Sequence, residues 1–394
     1  MFRTKLCAIA LIALLVLSAC GGGNTTTQPS PSAPTDAATA SNEPLVIDGL
    51  EVDRSKLASS LYIYTWADYI DPEVFELFKA EYGIDIVLDV YDSNEDMIGK
   101  VRPKNSGYDI VFPSDYAIDI MAEEGLLAPL DKSLLPHLQN MNPNFMGLYF
   151  DKENKFSVPY NVGTTGIAYD ASKFDGELDS WATVFELAQS DALPGQFSML
   201  DDSREVPGAA LRYLGKGVND TDPAILAEVE ALLKAQKSSQ NLASYDSSNV
   251  SRNLSSGTIV LGHIYNNNAL QSYLGLEGDD GFPGNENLRF FVPKEGGVIW
   301  QDNVAILAES KNQYSAHLFT NFLMRPEVAL RNLEYILGVT PNLEAEKLIS
   351  DELKTIFSEQ GFGITDDMID RLQWLERNEG TAAFDDLWTV VKGE

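Results

Sequence analysis

Between Leu61 and Gly125 the chain alternates three times between a short apolar or aromatic run and a segment of helical periodicity. Leu61–Thr65 reads as a buried strand, after which Asp71 and Pro72 supply an N-cap and a proline at the first helical position, and Gly83 stops the helix. Ile84–Val90 is the next strand, Ser93 to about Arg102 a helix, Tyr108–Phe112 a third strand, and Tyr116–Glu124 a third helix ended by Gly125. Three such units in series require right-handed crossovers and a mostly parallel sheet. Ligands of open α/β sheets bind beyond the carboxyl ends of the strands. Three loops are therefore expected to converge: Trp66–Tyr69, Tyr91–Asn94 and Pro113–Tyr116. The first sets an indole, a carboxylate and a phenol (Trp66, Asp68, Tyr69) at the end of the run LYIYTWADY.

A second α/β set begins near Thr164. Thr165–Tyr169, Gln196–Leu200 and Thr258–Tyr265 read as strands, and Trp181–Gln189, Pro207–Leu214 and Pro223–Lys237 as helices. Leu288–Val292 and Val298–Leu307 follow, the latter long enough to cross between lobes. From Lys311 the chain is mainly helical, with Leu318, Phe319, Phe322 and Leu323 on one apolar face. Two lobes of similar make-up imply a cleft between them. The expected division gives residues 58–163 and about 302–340 to lobe 1, and 164–301 and about 341–394 to lobe 2. No internal repeat of solenoid or propeller period is visible.

At the N-terminus Arg3 and Lys5 precede an apolar run, Leu6–Val16, too short for a membrane span of about 20 residues, and the sequence then reads Leu17, Ser18, Ala19, Cys20. This predicts a lipoprotein signal over residues 1–19 with Cys20 as the lipidated residue; a plain secretory signal or an uncleaved anchor are the alternatives. Cys7 and Cys20 are the two cysteines, so cleavage leaves no pair for a disulfide. Gly21 to about Pro44 is poor in large apolar side chains and reads as a flexible tether. The tether is drawn to residue 57, with residues 46–57 either extending it or packing on the first lobe.

The net charge of the whole chain is −31. Such a protein repels nucleic acid and anionic lipid and concentrates small cations near an acidic cleft, although acidic surfaces also serve solubility. In DDSRE, Asp202 and Glu205 follow a strand. Their spacing fits a capping box, yet Pro207 favours a helix starting near Val206, which leaves both carboxylates to face the cleft. Trp300 and Asp302 alternate along a strand and share a face, where a cation would gain from both the ring and the carboxylate. Paired acids also suit glycoside hydrolysis. His137, His263 and His317 have no metal-ligand spacing, and nucleotide and serine-hydrolase fingerprints are missing, so no metal or cofactor is expected.

The motifs LYIYTWADY, YDSNEDM, YDIVFPSDY, SVPYNVGTTGI, DDSREV, PKEGGVIWQD and TPN, in this order, resemble those of the spermidine/putrescine-binding proteins of bacterial polyamine ABC importers, over roughly Leu61 to the C-terminus. The resemblance implies a two-lobed α/β fold of the type II periplasmic-binding-protein kind, closing on its ligand without catalysis. It places Trp66, Asp68 and Tyr69 around a terminal ammonium and Ser114 and Tyr116 in the third-strand loop. It makes Asp202 and Glu205 the second-lobe acids, Trp300 the stacking indole and Asp302 the acid near the middle of the ligand. Tyr265 takes the place of another indole, and Ser247 matches a polar contact. Ala67 stands where a hydroxyl is found in enterobacterial relatives, Gly338 replaces a tyrosine wall, and a polar amide contact falls near Leu375 or Glu376. The implied function is that of a monomeric, extracytoplasmic, lipid-anchored protein that hands spermidine or putrescine to an ABC permease. Other readings are capture of a different cationic or small organic solute, or a secreted lipoprotein glycoside hydrolase.

Overall fold

Local chemistry starts and stops the first helix. The Asp71 carboxylate accepts from the Glu73 N–H at 2.9 Å, Pro72 fills the first turn, and Gly83 ends it in the left-handed region (φ 72°). The same logic recurs at Ser93, whose hydroxyl accepts from Asp96 N–H at 3.1 Å. The structure, a computed structural model, describes residues 45–176, 178–186, 193–276 and 281–393.

A hairpin of β1 (Leu45–Ile47) and β2 (Leu50–Val52) opens the described chain. The three expected units follow as β3 (Ser60–Trp66), α1 (Pro72–Tyr82), β4 (Asp85–Tyr91), α2 (Asn94–Val101), β5 (Ile110–Val111) and α3 (Asp115–Glu123). Next come β6 (Ser157–Asp170), α4 (Ala182–Phe185), β7 (Phe197–Met199), α5 (Glu205–Tyr213), α6 (Pro223–Lys237), β8 (Leu242–Tyr245), α7 (Val250–Ser256), β9 (Leu261–Tyr265) and α8 (Asn266–Leu274). A small hairpin of β10 (Gly275–Leu276) and β11 (Phe282–Pro283) precedes β12 (Leu288–Phe291) and β13 (Gly297–Ile306). The rest is α9 (Gln313–Leu323), α10 (Pro326–Ile336), α11 (Leu343–Leu348), α12 (Asp351–Glu359), α13 (Asp366–Ile369), β14 (Leu372–Trp374) and α14 (Ala382–Gly393).

One sheet carries the order β4-β3-β5-β13-β6-β9-β7-β8, with β12 added to β6 and β14 to β13. β3 pairs parallel with β4 and β5, whereas β13 runs antiparallel to both β5 and β6, so the sheet is mixed. Apolar side chains pack around both ends of this path. Phe78, Ile63, Phe112 and Phe319 belong to one buried cluster, beside β3–β5. Trp181, Phe185, Phe197 and Trp388 belong to another, beside β7–β9. β6 and β13 run from one region into the other: Val304 and Ile306 sit with the first cluster, while Ile299 and Ala168 join a third around Phe290 and Phe362. Leu318, Phe319, Phe322 and Leu323 are all buried, as their shared face requires.

Several expectations need correction. Thr165–Tyr169 is only the end of β6, which runs for 14 residues. Its earlier half, VPYNVGT, lacks an apolar pattern because it is sandwiched at the crossing, where backbone pairing with β13 satisfies it. Tyr108–Phe112 contracts to the two residues of β5. Of Trp181–Gln189, Ala182–Phe185 forms α4, and residues 187–192 lie outside the described residues. β14 interrupts the helical C-terminal part by pairing parallel with Gly297–Ile299.

The tether boundary at 57 is also too late. The signal, Cys20 and residues up to 44 lie outside the described residues, but Ile47 and Val52 are buried in the cluster around Phe78. Asp48 accepts from Arg325 Nε at 2.9 Å and Asn321 Nδ2 at 3.1 Å, and Arg325 makes a two-pronged bridge to Glu81 at 2.7 and 2.8 Å. Short polar linkers and short edge hairpins share a composition, so only this tertiary contact separates them. Protein beginning at residue 45 is therefore expected to keep its denaturation midpoint. Protein beginning at residue 58 loses the burial of Ile47 and Val52 and is expected to be destabilised by roughly 3 kcal/mol. Chemical denaturation of the two truncations checks this, and equal midpoints would remove the hairpin from the stabilising core.

Candidate functional site

Parallel pairing brings the ends of β3, β4 and β5 side by side, and their loops do converge. Trp66 Nε1 donates to the Phe112 carbonyl at 3.0 Å and packs on the Tyr91 ring, with centroids 4.6 Å apart. Tyr91 donates to the same carbonyl at 2.6 Å. Asn94 reaches across, its Nδ2 donating to the Ser114 hydroxyl at 3.0 Å and to the Tyr116 hydroxyl at 3.1 Å. Tyr116 in turn donates to Glu95 Oε1 at 3.0 Å.

At the centre stands Asp302 on β13, which is 8 % exposed. The Ser114 hydroxyl donates to its Oδ1 at 2.6 Å, and the Tyr69 hydroxyl donates to its Oδ2. Asn161, directly opposite on β6, donates to the Tyr69 oxygen at 3.1 Å. Burial pushes the Asp302 carboxyl up to about 6, while the donors from Ser114 and Tyr69 hold it down against that rise. Trp300, two residues earlier on the same face, lies over Gly163. A Cβ at Gly163 would meet the indole at 2.0 Å, so only glycine admits the ring there. The Tyr265 ring stands edge-on to the Trp300 indole, with centroids 5.8 Å apart and an interplanar angle of 87°.

The second acid group comes from the start of α5. Helix α5 begins at Glu205, one residue before the expected start, with Pro207 still in its first turn, where proline is tolerated. Asp202 is consequently not left free: its Oδ1 accepts from the N–H groups of Arg204 and Glu205, both at 2.8 Å. That oxygen braces the turn before α5, but no capping box forms: the N-cap of α5 is Arg204, without a side-chain cap bond, and Glu205 Oε1 goes to Thr165. Glu205 is buried, its Oε1 accepting from the Thr165 hydroxyl at 3.0 Å and its Oε2 lacking any protein donor among the described residues. Burial, and then the charge of Asp202, push the Glu205 carboxyl well above the usual range. Asp202 also adds to the upward shift of the Tyr116 and Tyr265 phenols, which burial dominates. Asp202 therefore sits within electrostatic reach of Tyr116 on α3 and of Tyr265 at the end of β9.

Tyr69, Ser114 and Asp302 are thus in direct contact, Tyr116 joins them through Asn94, and Tyr265 meets Trp300. Asp68 is the outlier. It is exposed, no donor among the described residues meets its carboxylate, and its φ of 52° is a left-handed conformation that few non-glycine residues adopt. Ser247 accepts from the Asp201 N–H at 2.9 Å, which supports the loop bearing Asp202. The Tyr149 hydroxyl donates to the Leu375 carbonyl at 3.3 Å and Arg377 meets Glu123 at 3.2 Å. Arg204 donates to the Glu376 carbonyl at 3.2 Å. These contacts tie the segment after β14 both to Tyr149 and Glu123 and to Arg204 at the start of α5.

Residues the motifs did not single out also line the region: Asn94, Asn161 and Asp115. Asp115 is 2 % exposed, one of its oxygens meets no hydrogen-bond partner among the described residues, and burial pushes its carboxyl up to about 8. It follows Ser114 in PSDY, so its closeness to the site was visible although its burial was not.

A buried acid whose folded value lies above 3.8 takes up a proton more readily in the folded than in the unfolded chain. The ligand-free fold therefore loses stability as pH rises from about 4 through about 6, by roughly 3 kcal/mol from Asp302. Asp302→Asn keeps a hydrogen-bonding group there and removes that charge. Its melting temperature is expected to gain on the wild type as pH rises through this window and to hold the gain above it. A constant difference across a series of melts would mean that Asp302 does not titrate there.

A model of the bacterial extracellular solute-binding protein family matches residues 73–386. The chain is 36 % identical over 315 residues to the spermidine/putrescine-binding periplasmic protein of Escherichia coli strain K12, covering 78 % of this chain and 86 % of that one. It is 31 % identical over 343 residues to the putrescine/cadaverine-binding protein of Pseudomonas aeruginosa, covering 86 % and 95 %. The solved spermidine/putrescine ABC transporter substrate-binding protein of Streptococcus pneumoniae superposes with a TM-score of 0.74 at 33 % identity, covering 85 % of this chain and 99 % of that one. With this match, these relatives and the two-lobed α/β fold, the chain belongs to the bacterial extracellular solute-binding protein family.

Proposed function

We propose that the chain captures a polyamine, spermidine or putrescine, in the cleft and delivers it to the permease of an ABC importer, working outside the cytoplasm on a lipid anchor at Cys20. The observation that carries the ligand class is the buried Asp302 carboxylate sharing a strand face with Trp300. A polyamine alternates ammonium groups with methylenes, so its site needs acids at intervals and flat apolar walls between them. In this reading Asp302 takes a central charge, Glu205 with Asp202 takes one end and Asp68 the other. Trp66, Tyr116, Tyr265 and Trp300 form the walls, and Tyr69 and Ser114 hold Asp302. The unpartnered Oε2 of Glu205 fits an incoming ammonium donor.

Residues 45–163 with about 302–340 form one lobe in this proposal, and the acids on the two sides make the closed form the better cation binder. The protein works without catalysis and as a monomer. Asp202, with one oxygen engaged by backbone N–H groups, has the character of an anchor rather than of a general acid. The match with spermidine- and putrescine-binding relatives supports the same ligand class.

Calorimetric titration of protein starting at residue 45 tests the proposal. Spermidine or putrescine is expected to bind at micromolar concentration or below, and silence to both, with heat from another solute, would overturn the polyamine reading. Asp302→Asn is expected to weaken binding about 100-fold, the loss of a charge-assisted hydrogen bond in a dry site. Trp300→Ala is expected to weaken it about tenfold through loss of the cation–ring contact. An unchanged dissociation constant in either variant would remove that residue from the contact surface.

A further inference from the structure

Asn161 stands opposite Asp302 across the paired strands, 3 % exposed, with its amide on the Tyr69 hydroxyl at 3.1 Å. Gly338 lies just after α10, where the Val162 N–H donates to the Val339 carbonyl at 3.0 Å and holds the segment against β6. A Cβ at position 338 would lie 2.2 Å from Asn161 Oδ1 and 2.9 Å from its Cγ. The amide thus occupies the space that a side chain at 338 would need. A file of contacts runs from Gly338 through Asn161 and Tyr69 to Asp302.

We propose that Asn161 and Gly338 are positioning residues of the cation site: the glycine leaves room for the amide, and the amide aims the Tyr69 hydroxyl at Asp302. Its consequence for affinity rests on the polyamine reading, whereas its effect on Asp302 belongs to the ligand-free protein. A hydroxyl that accepts one hydrogen bond becomes a better donor for the next. The Tyr69 oxygen has the Asn161 amide on one side and the Asp302 carboxylate on the other, so its proton has one direction to take. Without the amide the hydroxyl turns more freely, and the ionised carboxylate loses part of its support. The titratable groups facing Asp302 are Tyr69, Tyr91 at the end of β4, Asp115 at the start of α3 and Tyr265 at the end of β9. None is a cation, so hydrogen bonds from Ser114 and Tyr69 carry the stabilisation before a ligand arrives.

The test follows the Asp302 carboxyl by carbon-13 NMR of aspartate-labelled protein, with Asp302→Asn to assign the resonance. In Asn161→Ala and in Gly338→Ala the titration midpoint is expected to rise by about one pH unit, and spermidine affinity to fall by about twofold at neutral pH and up to about tenfold well below the wild-type midpoint, with recovery at alkaline pH. A purely structural role would lower affinity equally at every pH and leave the midpoint in place, and that result overturns the proposal. Should Gly338→Ala fail to fold, Asn161→Ala decides alone. A midpoint that moves in a protein whose wild type ignores spermidine would sink the ligand reading and uphold the positioning role.

Discussion

The arrangement turns on one constraint: a carboxylate, Asp302, is buried on a strand that passes from one packed region to the next. Burial disfavours its charge, so the fold must supply donors or take a cation. Two donors come from different loops, Ser114 after β5 and Tyr69 after β3, and each needs its own support. Asn94 steadies Ser114, and the Tyr160 hydroxyl donates to the Tyr69 carbonyl at 2.8 Å. Loops that look independent in the sequence are thereby bound into one network by a single acid.

The opposite side uses the same physics with a different balance. Glu205 receives one hydroxyl and keeps an oxygen without a partner among the described residues, while Asp202 spends an oxygen on the turn that begins α5. One acid is held in place chiefly by backbone, the other by burial. Together with an overall charge of −31 this disfavours anions and leaves the Glu205 carboxyl with an unmet demand for a donor. In the proposed polyamine site, the aromatic rings would favour a cation with apolar spacers over a bare metal ion, since flat hydrocarbon faces reward methylenes.

Much of this was legible in the chain. The three strand and helix units around LYIYTWADY have strong caps and punctuation, so their order and their converging loops could be read directly. Trp300 and Asp302 declared their shared face by alternation alone. What escaped was whatever only tertiary pairing decides. The first half of β6 looks like a polar loop because its partners are distant strands, and the β1–β2 hairpin looks like linker because its core contacts come from helices near residue 320. Asn161 carried no signal by itself: its meaning depends on Gly338, far along the chain, and on a hydroxyl from a third segment.

The pairing of β6 with β13 slips by one residue between Asp302 and Asn303, where Asp302 faces Asn161 but Asn303 faces Pro159, leaving Tyr160 as the extra residue. Such a slip loosens the ladder locally and concentrates twist there. Any flexing of the two crossing strands will therefore have its fulcrum beside the buried carboxylate. Asp302 sits next to that fulcrum, so a rotation too small to disturb the acid's own hydrogen bonds becomes a larger displacement farther along either strand.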